Sequence, residues 1–177
     1  ISAAALLQNK SPQCVFVLVG DGAQKNDLVA LAKQDHLNNV IFIPPQPKEI
    51  ISNFWSLCDI ALVHLKDAPA FSEVIPSKMF EAMAMGLPLL FVGPEGEASR
   101  IVDETKAGVA VLSSNPDLLA EQVVSLLEQP DQLQAYRQSA LTQVKQFSRE
   151  QQAREMLDVL ALIKSHTQKQ QQKECEF

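Results

Sequence analysis

With 177 residues, 46% of them apolar and 20% charged, the chain has the composition of a soluble folded protein and the length for one core of ordinary size. A formal charge of -6 and a pI near 5.0 exclude the broad positive field that recruits nucleic acid or an anionic membrane, so an anionic ligand has to be held locally. No run approaches the length of about 18 apolar residues that spans a bilayer, and the opening ISAAALLQNKSPQ lacks the basic start and cleavage pattern of a secretory leader.

The chain opens inside an apparent helix (1–7) without an initiator Met, as a piece of a longer polypeptide would. Residues 14–20, CVFVLVG, form a continuous apolar, β-branched run that ends in Gly20-Asp21-Gly22, the pattern of a strand buried on both faces and followed by a turn. Residues 26–35 place Leu28, Val29, Leu31 and Ala32 at helical spacing, and VIFI at 40–43 predicts a second buried strand closed by Pro44 and Pro45. A helix over 47–57 leads to a third strand, 59–65. A helix over 76–85 precedes a fourth strand at 87–93, and a short helix over 97–106 precedes the fifth, GVAVL at 108–112.

Strands separated by helical segments of about ten residues are the mark of βαβ units, which wind right-handed into a Rossmann-like parallel sheet with helices on both faces. Three C-terminal helices follow, over 116–128, 131–146 and 148–164. Their start signals are Asn115-Pro116, Pro130-Asp131 and Ser148-x-x-Gln151. The Gln-rich segment 165–177 has no apolar periodicity and is expected to be a disordered tail, leaving one domain over 1–164. Three cysteines, Cys14, Cys58 and Cys175, are odd in number and widely spaced; this favours thiols in a reducing, cytoplasmic compartment over disulfides or a zinc site.

In open α/β sheets ligands sit outside the carboxyl ends of the strands, which directs attention to the loops after Gly20, Ile43, Leu65 and Gly93. The third of these, KDAPAFSEVIPSK, exceeds the two to six residues usual for a βα connection. It runs into SEVIPSKMFEAMAMG, where Glu73 and Glu81 stand eight apart. Pro76 suits a first helical turn, and Ser77 and Lys78 offer free N–H groups beside a small side chain, an arrangement that holds phosphate. Glu81 follows Ser77 by four residues and so faces the same side one turn deeper, where a carboxylate can take both hydroxyls of a sugar ring or can simply pair with Lys78. His64 ends the third strand within reach of the same edge, as substrate contact or as an ordinary strand histidine. Pro94-Glu95-Gly96-Glu97 either brackets a ligand or forms an acidic first turn.

The order VGDG, a short strand with a proline-rich loop, E-x7-E within SEVIPSKMFEAMAMGLPLL, then EGEASRIV and AGVAV resembles the C-terminal donor-binding domain of family 4 retaining glycosyltransferases, one half of a GT-B fold. It is particularly similar to bacterial enzymes that add sugars, often amino sugars, to polysaccharide or O-antigen precursors. The resemblance spans about residues 1–163. It implies that Glu81 holds the ribose and the catalytic-face Glu73 meets the donor sugar. Pro76, Ser77 and Lys78 would present the diphosphate turn, Ile43, Pro44, Pro45 and Gln46 would edge the base, and Gly20, Asp21 and Gly22 would floor the cleft with Lys25 as a helper. It further implies a nucleotide-sugar donor (UDP favoured), no metal and no cofactor. The family's first strand with its phosphate-gripping loop and its N-terminal acceptor domain have no match here. Peripheral membrane contact would then belong to the longer enzyme, and the 177 residues alone would not catalyse transfer. Sugar-nucleotide 2-epimerases share the GT-B fold, and a non-catalytic interaction module is a further alternative.

Overall fold

A computed structural model describes residues 1–174 other than Ser113, with side chains through Lys164. The alternation read from the sequence is present: α1 (Ser2–Lys10), β1 (Phe16–Val19), α2 (Lys25–Gln34), β2 (Val40–Ile43), α3 (Ile51–Trp55), β3 (Ala61–His64), α4 (Lys78–Ala84), β4 (Leu89–Val92), α5 (Glu97–Thr105), β5 (Gly108–Val111), α6 (Pro116–Leu127), α7 (Pro130–Gln143) and α8 (Arg149–Glu174). All strand pairs are parallel.

The strands do not form one sheet. β1 pairs with β2 in one, and β3-β4-β5 form another in that order. The second carries the core. β4 is buried along its whole length, and its period-two geometry sends Leu89 and Phe91 to one face and Leu90 and Val92 to the other. On the first face Phe91, Val63 and Ala61 meet Met79 and Met83 of α4, Val102 of α5 and Ala140 of α7. On the second, Leu90, Val92 and Val111 meet Leu7 of α1 and Ala120, Val123 and Leu126 of α6. The strands of this sheet are apolar apart from His64 at the end of β3, because helices cover both faces.

β1 departs from expectation: Val17 and Leu18 are exposed rather than buried on both sides, and Ala32 is the one buried residue of α2. Hydrophobic strand composition was satisfied at β4, which has neighbours on both sides, and not at β1, which has a partner on only one.

Start signals were local enough to be read correctly at α6, where Asn115 Oδ1 accepts the Asp117 N–H and Pro116 takes the first helical position. At α8 the Ser148 hydroxyl accepts the Gln151 N–H. The helix expected over 47–57 shrinks to a 3-10 turn, Lys48–Ile50, and the five-residue α3. α8 continues past Lys164 to Glu174, where an unstructured tail was expected; residues 175–177, with Cys175, lie outside the described residues. Cys14 and Cys58 are free, half-buried thiols, and burial pushes both up from the ordinary thiol range. No helix among the described residues is long and apolar enough to cross a membrane.

Candidate functional site

The residues singled out by sequence gather at the carboxyl ends of the strands in two groups. The first stands on the β1–β2 sheet. Gly20 donates its N–H to the Ile43 carbonyl, so the Gly20-Asp21-Gly22 turn and the Ile43–Gln46 loop are neighbours. Asp21 Oδ1 accepts the Gly22 N–H at 2.9 Å, and Gln46 folds back on the Pro44 carbonyl at 2.9 Å. Lys25 Nζ donates to the Gly20 carbonyl at 2.8 Å and lies 4.0 Å from Asp21. Its ammonium therefore braces its own turn. Pro44 and Pro45 are exposed. A Cβ added at Gly20 or Gly22 would meet nothing within 4 Å, so the space over this turn is open.

The second group stands on the β3–β4–β5 sheet. The loop after β3 folds into a 3-10 turn, Pro69–Phe71, which Ser72 closes by donating its hydroxyl to the Pro69 carbonyl. The Ser72 carbonyl in turn accepts the N–H of Glu97, the first residue of α5, at 2.8 Å. That bond pins Glu73 beside the start of α5. Gly96 makes the approach possible, because a Cβ there would lie 1.9 Å from the Ser72 oxygen. Ser99 completes the junction: its hydroxyl donates to the Gly96 carbonyl and accepts the Gly96 N–H, both at 2.9 Å. The sequence reading treated Pro94–Glu97 as a bracket or an acidic turn and missed that Gly96 positions Glu73. A lone glycine between two glutamates was the available signal.

α4 starts two residues later than expected, with Ser77 as N-cap and Pro76 before it. Met79 donates to the Pro76 carbonyl, and Phe80 and Glu81 donate to that of Ser77. The N–H groups of Ser77 and Lys78 have no partner among the described residues, and both residues are exposed. Glu81 is likewise exposed and makes no ion pair with Lys78 or any other described residue. On the opposite face Met79, Ala82 and Met83 are buried, which orients the helix and leaves Ser77, Lys78 and Glu81 to the outside. Gly86, at φ +69°, ends the helix in the left-handed conformation that favours glycine.

His64 ends β3 at the same edge; partial burial of its ring, and secondarily the nearby amino terminus of Ile1, hold its imidazole below the ordinary range. Two concavities, of about 430 and 290 Å³, lie away from these residues, along Gln8, Asn9, Pro12, Val15, Asn38 and Asn39, and between α1 and α6.

Parallel strands with helices on both faces define a Rossmann-like α/β fold. The chain belongs to the glycosyl transferases group 1 family, whose model matches residues 1–143. It is 31% identical over 129 residues to WbjE of Pseudomonas aeruginosa, named as a probable glycosyltransferase, covering 72% of this chain and 32% of that protein. It is 32% identical over 81 residues to TuaH of Bacillus subtilis (strain 168), named for teichuronic acid biosynthesis, covering 46% and 20%. The chain thus spans about a third or less of these relatives. Among solved structures, sucrose-phosphate synthase of Thermosynechococcus elongatus superposes with a TM-score of 0.73 at 20% identity, covering 93% of this chain and 42% of that one. Anabaena Alr3699/HepE, solved with UDP, gives 0.71 at 22%, covering 89% and 44%. These likenesses carry the GT-B assignment of the fold. The family match is to transferases, and no observation favours the epimerase or the non-catalytic alternative.

Proposed function

We propose that the chain is the donor-binding domain of a retaining glycosyltransferase that moves a sugar from a UDP-sugar to a polysaccharide or lipid-linked acceptor. In this reading the Ser77 and Lys78 N–H groups receive the diphosphate, and Glu81 takes the ribose hydroxyls. Glu73 faces the donor sugar, Ile43–Gln46 edge the base, and Gly20–Gly22 floor the cleft. What supports it most is the conjunction, on an exposed helix start in a member of this family, of two unpartnered N–H groups with a carboxylate one turn away that nothing else engages.

The neighbour solved with UDP supports the choice of nucleotide, and the name of TuaH supports a polysaccharide product. Transfer would need a second domain closing over the donor. Membrane contact, where it occurs, would be made by that other part. Retention follows from the family resemblance and is read out as the anomeric configuration of the product.

Calorimetric titration with UDP, GDP and UDP-sugars tests the reading. UDP binding should weaken on Glu81→Ala by roughly 10- to 100-fold, the loss of a charged hydrogen-bonding group. Absence of any nucleotide binding at millimolar ligand, in a folded sample, sinks it.

A further inference from the structure

The larger of the two concavities, about 430 Å³, has the size of a small-molecule site and lies at the amino ends of β1 and β2. The glycine turn and the Ile43–Gln46 loop stand at the opposite edge of the same sheet. Four carboxamide residues line it, Gln8 and Asn9 from the last turn of α1 and Asn38 and Asn39 from the segment before β2, together with Pro12 and Val15. No charged or aromatic side chain among the described residues does so. Gln8 braces the wall: its Oε1 accepts the Asn38 N–H at 2.6 Å and its Nε2 donates to the His36 carbonyl at 3.3 Å, which ties the turn before β2 to α1.

The polar groups left over are mainly acceptors. A helix carbonyl at position 8 is met by the N–H of residue 12 when the helix continues, and Pro12 has none; the carbonyls of Gln8 and Asn9 have no partner among the described residues. Asn39 adds a third acceptor. It is 4% exposed, and its Nδ2 donates to the Ala4 carbonyl at 2.8 Å, so the amide orientation is fixed and Oδ1 remains buried without a donor among the described residues. Buried acceptors in folded proteins are nearly always met, and an unmet one marks where a donor is missing. The side-chain amides of Asn9 and Asn38 are exposed and engage nothing among the described residues.

A neutral wall rich in acceptors selects its ligand. The carbonyl end of a helix carries partial negative charge and no cation lines the site, which turns away phosphates and carboxylates. No carboxylate among the described residues is there to hold an ammonium group. Hydroxyls fit, because each brings a donor without a charge, and a carboxamide sets a donor beside an acceptor as two neighbouring ring hydroxyls do. We propose that this concavity binds an uncharged saccharide unit. Its hydroxyls donate to the Gln8 and Asn9 carbonyls and supply the donor missing at Asn39. The Asn9 and Asn38 amides grip a vicinal pair, and Pro12 and Val15 take the C–H face of the ring. The site stands at the other edge of the sheet and does not rest on the donor-site reading.

Titration of the isotope-labelled chain, followed by nuclear magnetic resonance, tests this. The probes are the methyl glycosides of glucose, galactose, mannose and N-acetylglucosamine, maltotriose as a polymer segment, UDP, and ethanolammonium. At least one of the saccharides should shift the backbone signals of Asn9, Asn38 and Asn39 and the side-chain amide signals of Asn9 and Asn38, saturably in the millimolar range. Tighter binding of maltotriose than of methyl glucoside identifies a polymer segment as the occupant, equal binding a free sugar, and both support the site. UDP should leave these signals in place; whether it binds at Ser77–Glu81 bears on the donor-site reading alone. Asn38→Ala and Asn9→Ala, both at exposed side chains, should each weaken the best-binding saccharide roughly 3- to 10-fold, the loss of a neutral hydrogen bond, with the unfolding midpoint nearly unchanged. Three results overturn the proposal: no shift at these signals with any saccharide at tens of millimolar, unchanged affinity in both variants, or equal shifts with UDP or ethanolammonium.

Discussion

His64 shows how much a single position depends on what surrounds it. Its ring is held below its ordinary range by burial first and by the Ile1 ammonium second. The unfolded chain therefore takes up the proton more readily than the folded one, and folding contributes stability that is complete above the unfolded pKa, about 6.5, and is lost as pH falls through the lower folded value. Urea unfolding midpoints of the 177-residue chain should fall from pH 7.5 to 5.5, with the Ile1 amino group, also lowered by burial, adding a loss of the same sign, and His64→Gln should make the drop smaller. An unchanged slope in the variant would assign the acid sensitivity elsewhere. Lys25 makes the complementary point: a lysine at a helix start beside a glycine turn reads as a phosphate ligand or a solvated cation, and its actual bond to the Gly20 carbonyl could not be told from spacing. Glu81 was legible because its environment is local, one turn of one helix whose buried face is written in Met79, Ala82 and Met83.

At the scale of elements, the junction between the loop after β3 and α5 is the feature that holds Glu73 in place. It is built from backbone, since the Ser72 carbonyl, the Glu97 N–H and the close approach at Gly96 do the holding. Gly96→Ala should consequently cost about 1–3 kcal/mol of stability, because a backbone atom cannot step aside as a side-chain tip would. It should also weaken binding of a UDP-sugar more than that of UDP, the difference being the sugar that Glu73 is proposed to face; both are measurable by denaturation and calorimetry on one sample. On α8, Met156, Leu157 and Leu160 are each more than half exposed, so the helix carries apolar side chains outside both core clusters.

For the molecule as a whole, stability rests on β4 and the two clusters it separates. Phe91 is fully buried in the first of these, among α4, α5 and α7, and its truncation leaves a cavity no neighbour can fill. Phe91→Ala should lose about 3–5 kcal/mol, a large share of the about 5–15 kcal/mol typical of a domain, while a conservative Phe91→Leu keeps most of it; chemical denaturation measures both.

The amino-acid sequence alone determined the alternation of strands and helices, their parallel handedness, the cap at α6 and the surface on which Ser77, Lys78 and Glu81 stand. Each of these follows from short-range periodicity or from bonds between residues a few positions apart. Only the tertiary structure decided that the strands part into two sheets, that Gly96 rather than a side chain secures Glu73, and that Lys25 reaches the Gly20 carbonyl of its own turn. Those outcomes depend on which distant backbone groups come within hydrogen-bonding or van der Waals reach, and no local pattern encodes that distance.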